Sequence, residues 1–329
     1  MEKQYLAHSI EPYELVRTSC LQRAKSLSHL SIDELAIGKF AYKIAAGDRG
    51  VIGTVDSNFF LDFDDITTGI YYVLIADTIN FGSGWFPYLK KIDGNSGAVS
   101  IATALSNYCR QYAIPTPNQL CSLTTDGVAQ MLGQVNRGEA GELMELYRIA
   151  LFQLGQMLIE DYQGDAMNLM EEAGESAGKL VTILTSLPFY KDFAIEGSEI
   201  TYFYKRAQIA ASDIALVTAG RSKHFKDLDR LTIFADNVLP NLLRVEGVLK
   251  YSEELTQKIA AEQLFEVGKS DEVDLRAATV VACESIVNHL NLDHQITISP
   301  RELDQLLWTM GRQKIYKESP RHRCRCTFY

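Results

Sequence analysis

No run in this 329-residue chain is long and apolar enough to cross a bilayer. Stretches such as Ile70 to Ala76 fall far short of the ~20 residues a spanning helix needs, so a helical membrane protein is excluded. A basic excess is also missing: 32 Lys and Arg stand against 42 Asp and Glu, giving a net charge of −10 and a pI near 5.2. Such a surface repels a phosphate polymer and argues against broad nucleic-acid binding, while leaving room for one phosphate on a small ligand. The opening Met1-Glu2-Lys3-Gln4-Tyr5 lacks the basic-then-apolar pattern of a signal peptide. The six cysteines are scattered, which fits a cytoplasmic protein with reduced thiols. Cys324 and Cys326 with His322 have no second ligand pair at zinc-finger spacing, so no metal site is expected. Repeats and low-complexity linkers are absent as well.

What is present is an ordinary globular composition, 47% hydrophobic and 22% charged, long enough to bury a large core. Most of the chain reads as helix. One helix opens at Glu11-Pro12, and a second after Ser31-Ile32-Asp33-Glu34 by a Ser-x-x-Glu capping box, with Leu35, Phe40 and Ile44 on its apolar side. Thr54 to Thr68 is loop with aromatic anchors. Ile70 to Ala76 is apolar throughout, and periodicity cannot decide between strand and helix there. Helices follow over 96–160, where Leu143 to Leu158 repeats apolar residues at helical spacing and is core. One helix is expected over 171–184, one over Pro240–Leu255, one over Glu272–Leu290 and one from Ser299-Pro300. The clearest β signal is a hairpin, Phe193–Ile195 and Ile200–Phe203, joined by Glu196-Gly197-Ser198-Glu199.

The stretch most open to function is Thr232-Ile233-Phe234-Ala235-Asp236-Asn237-Val238-Leu239-Pro240, which places a carboxylate on a loop before a helix opened by proline. Asp236 has two readings. It is a helix-start acid of the common structural kind, or it is a buried carboxylate beside Phe234 that answers a developing positive charge. Lys205 and Arg206 head another helix and, being adjacent, are expected to diverge, one inward and one solvated.

Four stretches occur together: Phe203-Tyr204-Lys205-Arg206-Ala207-Gln208-Ile209, Asp77-Thr78-Ile79-Asn80-Phe81, Phe234-Ala235-Asp236, and Pro320-Arg321-His322-Arg323 with terminal Tyr329. In this combination the chain resembles the queuosine salvage family, the queuosine 5'-phosphate N-glycosylases, from about Asn58 to the end. The resemblance implies a mainly α-helical globular fold like that of helical DNA glycosylases, with a few short β-strands, forming a single domain over 1–329 in which residues 1–50 could stand apart as a helical lobe. It implies hydrolysis of queuosine 5'-phosphate to queuine and ribose 5-phosphate, with no metal or organic cofactor. The partner would be this small-molecule substrate, with no nucleic-acid polymer and no membrane; the oligomeric state is open.

Carried over residue by residue, the resemblance makes Asp236 the catalytic aspartate, and Lys205 the lysine near the reacting centre that keeps it ionised. Phe234 stacks on the base, Asp304 binds the modified base, and Asp77 borders the base pocket. Arg321 and Arg323, with Lys205 and Arg206, are the candidates for the phosphate. Asn58, Gln305 and Thr309 stand where the family often has a histidine, an aromatic and a second acid. Gly82 to Gly84 replace a stretch where an aromatic is usual. Two other readings remain: a binding protein that keeps the pocket without the reaction, and a glycosylase acting on a nucleic acid, which the charge disfavours.

Overall fold

The structure, a computed structural model, describes residues 10–47, 61, 63, 65–220 and 225–329. Fifteen α-helices and six short strands form among them, making the fold mainly α, and no described helix is long and apolar enough to cross a membrane.

In chain order the helices are α1 (Pro12–Arg23), α2 (Glu34–Ala46), α3 (Ile66–Thr78), α4 (Gly97–Tyr112), α5 (Pro117–Ser122), α6 (Thr125–Met131), α7 (Gly138–Tyr162), α8 (Ala166–Ala173), α9 (Ala177–Leu184), α10 (Lys205–Val217), α11 (Leu239–Val245), α12 (Glu253–Ala260), α13 (Ser270–Asp293), α14 (Pro300–Met310) and α15 (Lys314–Lys317). The strands are β1 (Leu30–Ile32), β2 (Phe193–Glu196), β3 (Glu199–Tyr202), β4 (Leu249–Tyr251), β5 (Leu264–Phe265) and β6 (Arg323–Cys324). The chain weaves between two compact units. The first takes residues up to 53, 192–208 and 227–324; the second takes 54–191, 209–226 and 325–329.

In the first unit α13 is the central helix. Residues 272–280 are buried without interruption, so this part of the helix has no exposed face, and α1, α2, α11 and α14 pack around α13. Its buried charges are paired: Asp274 takes the Arg23 guanidinium and the Ser28 N–H, and Arg276 meets Asp192 and Glu272. β1 pairs antiparallel with β4, Leu30 opposite Tyr251, and β5 pairs parallel with β6. The hairpin forms as expected, Phe193 opposite Tyr202, through a turn whose Gly197 takes φ 61°.

Three expectations are corrected here. Ser31 lies in β1, so it cannot cap α2; Asp33 does, accepting the Ala36 N–H, and Leu35 is 80% exposed while Ile37 takes its place in the core. The helix expected over Pro240–Leu255 is a helix, a strand and a second helix. Gly247, at φ 78°, terminates α11 in the left-handed region, and Val248 N–H reaches back to Leu243 O before β4 begins. The helix expected over 171–184 is likewise two, α8 and α9, separated by Gly174 at φ 62° and restarted by the Ser176 cap.

In the second unit Ile70 to Ala76 resolve as helix, within α3, started by an Asp65 cap. α7 is the long core helix, with Leu143, Tyr147, Ala150, Leu151, Leu154 and Leu158 buried. The departure at Gly82 has a local reason. Its φ is 115°, a Cβ there would sit 2.8 Å from Leu143 Cδ1, and the N–H groups of Gly82 and Ser83 donate to the carbonyl of the buried terminal Tyr329. The C-terminal tail is therefore docked. Asn58 and most of the Thr54–Thr68 stretch lie outside the described residues.

Gly155 marks the closest approach of α7 to α5: a Cβ would meet Pro117 O at 2.7 Å and Cys121 Sγ at 2.9 Å. Helix propensity alone favours alanine by about 1 kcal/mol, but a backbone carbonyl cannot swing aside. Gly155→Ala is expected to lower stability by about 1–3 kcal/mol, as overpacking does; urea unfolding of the variant checks the sign.

Candidate active site

The site grows from the start of α10, in the first unit. Asp192, the residue before β2, accepts the N–H groups of Phe203 and Tyr204 at its carbonyl and the Lys205 N–H at Oδ2, 3.0 Å away. One buried aspartate thus caps the helix from outside it. Tyr204 is held at φ 50°, a conformation uncommon for a non-glycine residue and one that persists only where surrounding bonds fix it. The turn delivers Lys205 and Arg206 together into the interior: Lys205 is 7% exposed and Arg206 1%, correcting the expectation that one of them is solvated.

The Leu231–Val238 loop is fixed almost residue by residue. Thr232 N–H donates to Gln208 Oε1, and Gln208 Nε2 donates to Thr232 Oγ1 and Phe203 O. Phe234 N–H donates to Asp304 Oδ1 at 2.8 Å, while Arg276 Nε donates to Ala235 O at 3.0 Å. Asp236 Oδ1 accepts from Val238 N–H at 2.6 Å and Leu239 N–H at 3.3 Å, at the start of α11. The structural reading of Asp236 is therefore realised by one of its oxygens.

The other oxygen is left over. Among the described residues Asp236 Oδ2, Asp304 Oδ2 and Lys205 Nζ have no hydrogen-bond partner, yet none of the three atoms is sealed from solvent. The residues carrying them are all more than nine-tenths buried. Electrostatics joins them. Burial holds the Lys205 ammonium below its ordinary value, and Arg206 and Arg276 reinforce this against the opposing pull of Asp236 and Asp304. Burial also pushes the Asp304 carboxyl up to about 8, helped by the Asp236 charge and opposed by the Phe234 N–H and Lys205. Cys283 on α13 feels the same Asp304 charge, and burial raises its thiol well above the usual range. Arg321 is within the field of Asp236; burial lowers its pKa, and one Nη donates to Gly311 O.

Not every sequence-selected residue joins this group. Arg323 turns to Glu262, bonding its carbonyl and its carboxylate. Gln305, on α14 beside Asp304, has a sealed Oε1 without a partner, whereas Thr309, one turn on, is exposed. Asp77 belongs to the second unit, where it accepts from Asn80 Nδ2 and lines a small pocket of about 70 Å³ with Asn80, Tyr147 and Asp213. Asp192, Gln208 and Arg276 were not singled out from the sequence. Glu272 and Arg276 at i,i+4 were a readable helical ion pair, but nothing in the sequence joins Arg276 to Asp192, 84 positions earlier.

An ammonium within the field of two buried carboxylates, each of the three with an atom free for a ligand, makes a site for reactions in which charge develops on the substrate. Comparison with known proteins narrows the class. The family described as queuosine salvage protein matches residues 62–329, most of the chain. A protein of Sphaerobacter thermophilus named queuosine 5'-phosphate N-glycosylase/hydrolase is 32% identical over 266 residues, 78% of this chain and 80% of that one. Proteins of the same name from Bos taurus and Mus musculus are 30% identical over 279 residues (79% and 81% of the two chains) and 34% identical over 198 (57% and 58%). The chain belongs to the queuosine salvage protein family.

Asp304 yields a pH test. Its folded value of about 8 lies above the ordinary carboxylate value near 3.9, so between those limits the folded chain holds a proton that the unfolded chain has released. This group's contribution therefore makes stability fall as pH rises from about 4 to about 8. In urea unfolding at pH 5 and pH 8, Asp304→Asn is expected to gain on the wild type at the higher pH. A stability difference that stays constant across the window would mean that Asp304 is ionised throughout.

Proposed function

We propose that this chain hydrolyses the N-glycosidic bond of queuosine 5'-phosphate, the bond and substrate its relatives are named for, and so releases queuine and ribose 5-phosphate. The observation that carries the reading is the buried group of Lys205, Asp236 and Asp304, each with one atom open to a ligand and unpartnered among the described residues.

Cleavage of a glycosidic bond passes through an oxocarbenium-like sugar cation. Asp236 Oδ2 is the oxygen that answers this charge, since Oδ1 is held by two backbone N–H groups and fixes the carboxylate in place. Opposite charges ~4 Å apart interact by about 4 kcal/mol at an effective dielectric near 20, equivalent to roughly three decades in rate. Because the cation forms only as the bond breaks, the interaction favours the transition state over the ground state.

The leaving group is a 7-deazapurine, with carbon where a purine has N7, so protonation at that position is closed. Charge on the departing base must be met by hydrogen bonds elsewhere. Asp304, protonated near neutral pH, is a donor for the base edge, and Lys205 supplies a second. Phe234 stacks on the base, and Gln305 and Thr309 bear on its cyclopentenediol arm. Arg321, within the field of Asp236, is the candidate for the phosphate, whereas Arg323 is committed to Glu262. The reaction needs only water as co-reactant and takes a mononucleotide in the cytoplasm.

Asp236→Asn tests the role directly. The amide keeps an acceptor for the Val238 and Leu239 N–H groups but loses the charge, so the single-turnover rate on queuosine 5'-phosphate should drop by about three decades, with a stability cost of at most about 2 kcal/mol, the upper range for a cap. A normal rate per folded molecule would return Asp236 to a purely structural role. Wild-type protein that binds the nucleotide without releasing base would instead support a binding protein.

A further inference from the structure

Residues 318–322 of the first unit, between α15 and β6, form neither helix nor strand, so their backbone carbonyls must find donors outside such elements. The donors are side chains that follow Asp236 closely in sequence. Asn237 Nδ2 donates to the His322 carbonyl at 3.3 Å. Asn241, 3% exposed, donates through Nδ2 to the carbonyls of Tyr316, near the end of α15, and of Ser319, at 3.0 and 3.5 Å. Arg244 Nη2 is shared among Asn241 Oδ1 at 3.1 Å, the Ser319 hydroxyl, and the Pro320 carbonyl at 3.3 Å.

Asn241 and Arg244 are three apart on α11 and share one face of it. Further contacts keep this face in place: the Arg244 guanidinium lies 5.5 Å from the Tyr251 ring centroid, and the Tyr316 hydroxyl donates to Glu246 Oε1 at 2.5 Å. The segment is thereby fastened to α11 at successive carbonyls. The start of the same helix supplies the two N–H groups that hold Asp236 Oδ1.

The residue carried by the fastened segment is Arg321, whose neighbours Pro320 and His322 are both held at their carbonyls. Its guanidinium is tied to the same region by a second route. One Nη donates to Gly311 O at 2.9 Å, and Gly311 is pressed against Val238, since a Cβ there would sit 2.7 Å from Val238 Cγ1. Val238 N–H is the nearer of the two donors to Asp236 Oδ1. Backbone and guanidinium of Arg321 are therefore both referred to the chain that carries Asp236, and Asp236 acts on Arg321 electrostatically. A long side chain ordered in advance has less freedom to lose when a ligand arrives.

We propose that Asn241 and Arg244 are positioning residues: they latch the Tyr316–Pro320 segment to α11 and so fix Arg321 relative to Asp236. The latch rests on these bonds; its effect on turnover rests on the function proposed above.

The test has two arms, both on the full chain. In amide hydrogen exchange, Asn241→Ala and the milder Arg244→Met should speed exchange over residues 312–323 by more than over α13. Exchange that is unchanged over 312–323, or that speeds no more there than in α13, overturns the latch. The second arm is steady-state kinetics on queuosine 5'-phosphate, per folded molecule, for Arg244→Met alone and combined with Arg321→Met. A group that holds substrate and transition state alike acts on KM. Arg244→Met should therefore raise KM roughly 3- to 30-fold, within the range over which neighbouring residues couple, with little change in kcat, and should add almost nothing once Arg321 is Met. An equal effect in both backgrounds would mean that the latch does not act through Arg321 and overturns the positioning role. Wild type that leaves the nucleotide intact would count against the proposed reaction, and the exchange arm would still decide the latch.

Discussion

The ion pair between Arg276 and Asp192, both about 2% exposed, holds the first unit's candidate site together. Arg276 bonds both Asp192 oxygens at 2.9 and 2.6 Å, accepts Glu272 as a second counter-ion one helical turn away, and lies 3.9 Å from the Phe203 ring centroid. Asp192 spends its remaining capacity on the N–H groups that start α10, and Arg276 reaches with Nε to the Ala235 carbonyl. One guanidinium therefore ties the turn that presents Lys205 to the loop that presents Asp236. Breaking a buried pair by removing one partner costs about 3–5 kcal/mol, because the other charge is left stranded. Here the stranded charge would also be the cap of α10.

The chemistry depends on incomplete satisfaction. Protein interiors leave few buried polar groups unpaired, yet Lys205, Asp236 and Asp304 each keep an atom in reserve while their backbones and second oxygens are fully engaged. Fixing one carboxylate oxygen orients the other without conformational choice, the condition under which a preorganised charge is most effective on a transition state. The same burial sets Asp304 apart from an ordinary carboxylate by pushing its carboxyl up to about 8.

Local rules made some of this legible. The turn glycine at 197 announced the hairpin, Pro240 the start of α11, and the Leu143–Leu158 spacing a core helix. Periodicity was silent for Ile70–Ala76 because α3 is buried on nearly all sides. It misled at Gly247 and Gly174, where single left-handed residues end helices whose apolar spacing runs on. Asp236, Phe234, Lys205 and Asp304 were picked out through family resemblance, and the structure brings the four together. The parts that hold them are long-range: Asp192 to Arg276, Gln208 to Thr232, Asp304 to Phe234. No local pattern encodes such pairs.

If Arg276 positions the reacting groups, its replacement should change catalysis by the molecules that remain folded as well as their number. The most direct measurement is kcat and KM for queuosine 5'-phosphate in Arg276→Met and Arg276→Lys, scaled to the folded fraction read from melting curves on the same samples. The account predicts a fall in kcat of Arg276→Met larger than its change in KM, with partial recovery in Arg276→Lys, which restores a charge for Asp192 but not the fork that also reaches Ala235. A wild-type kcat per folded molecule in Arg276→Met would contradict it and reduce the Arg276–Asp192 pair to a purely structural contact.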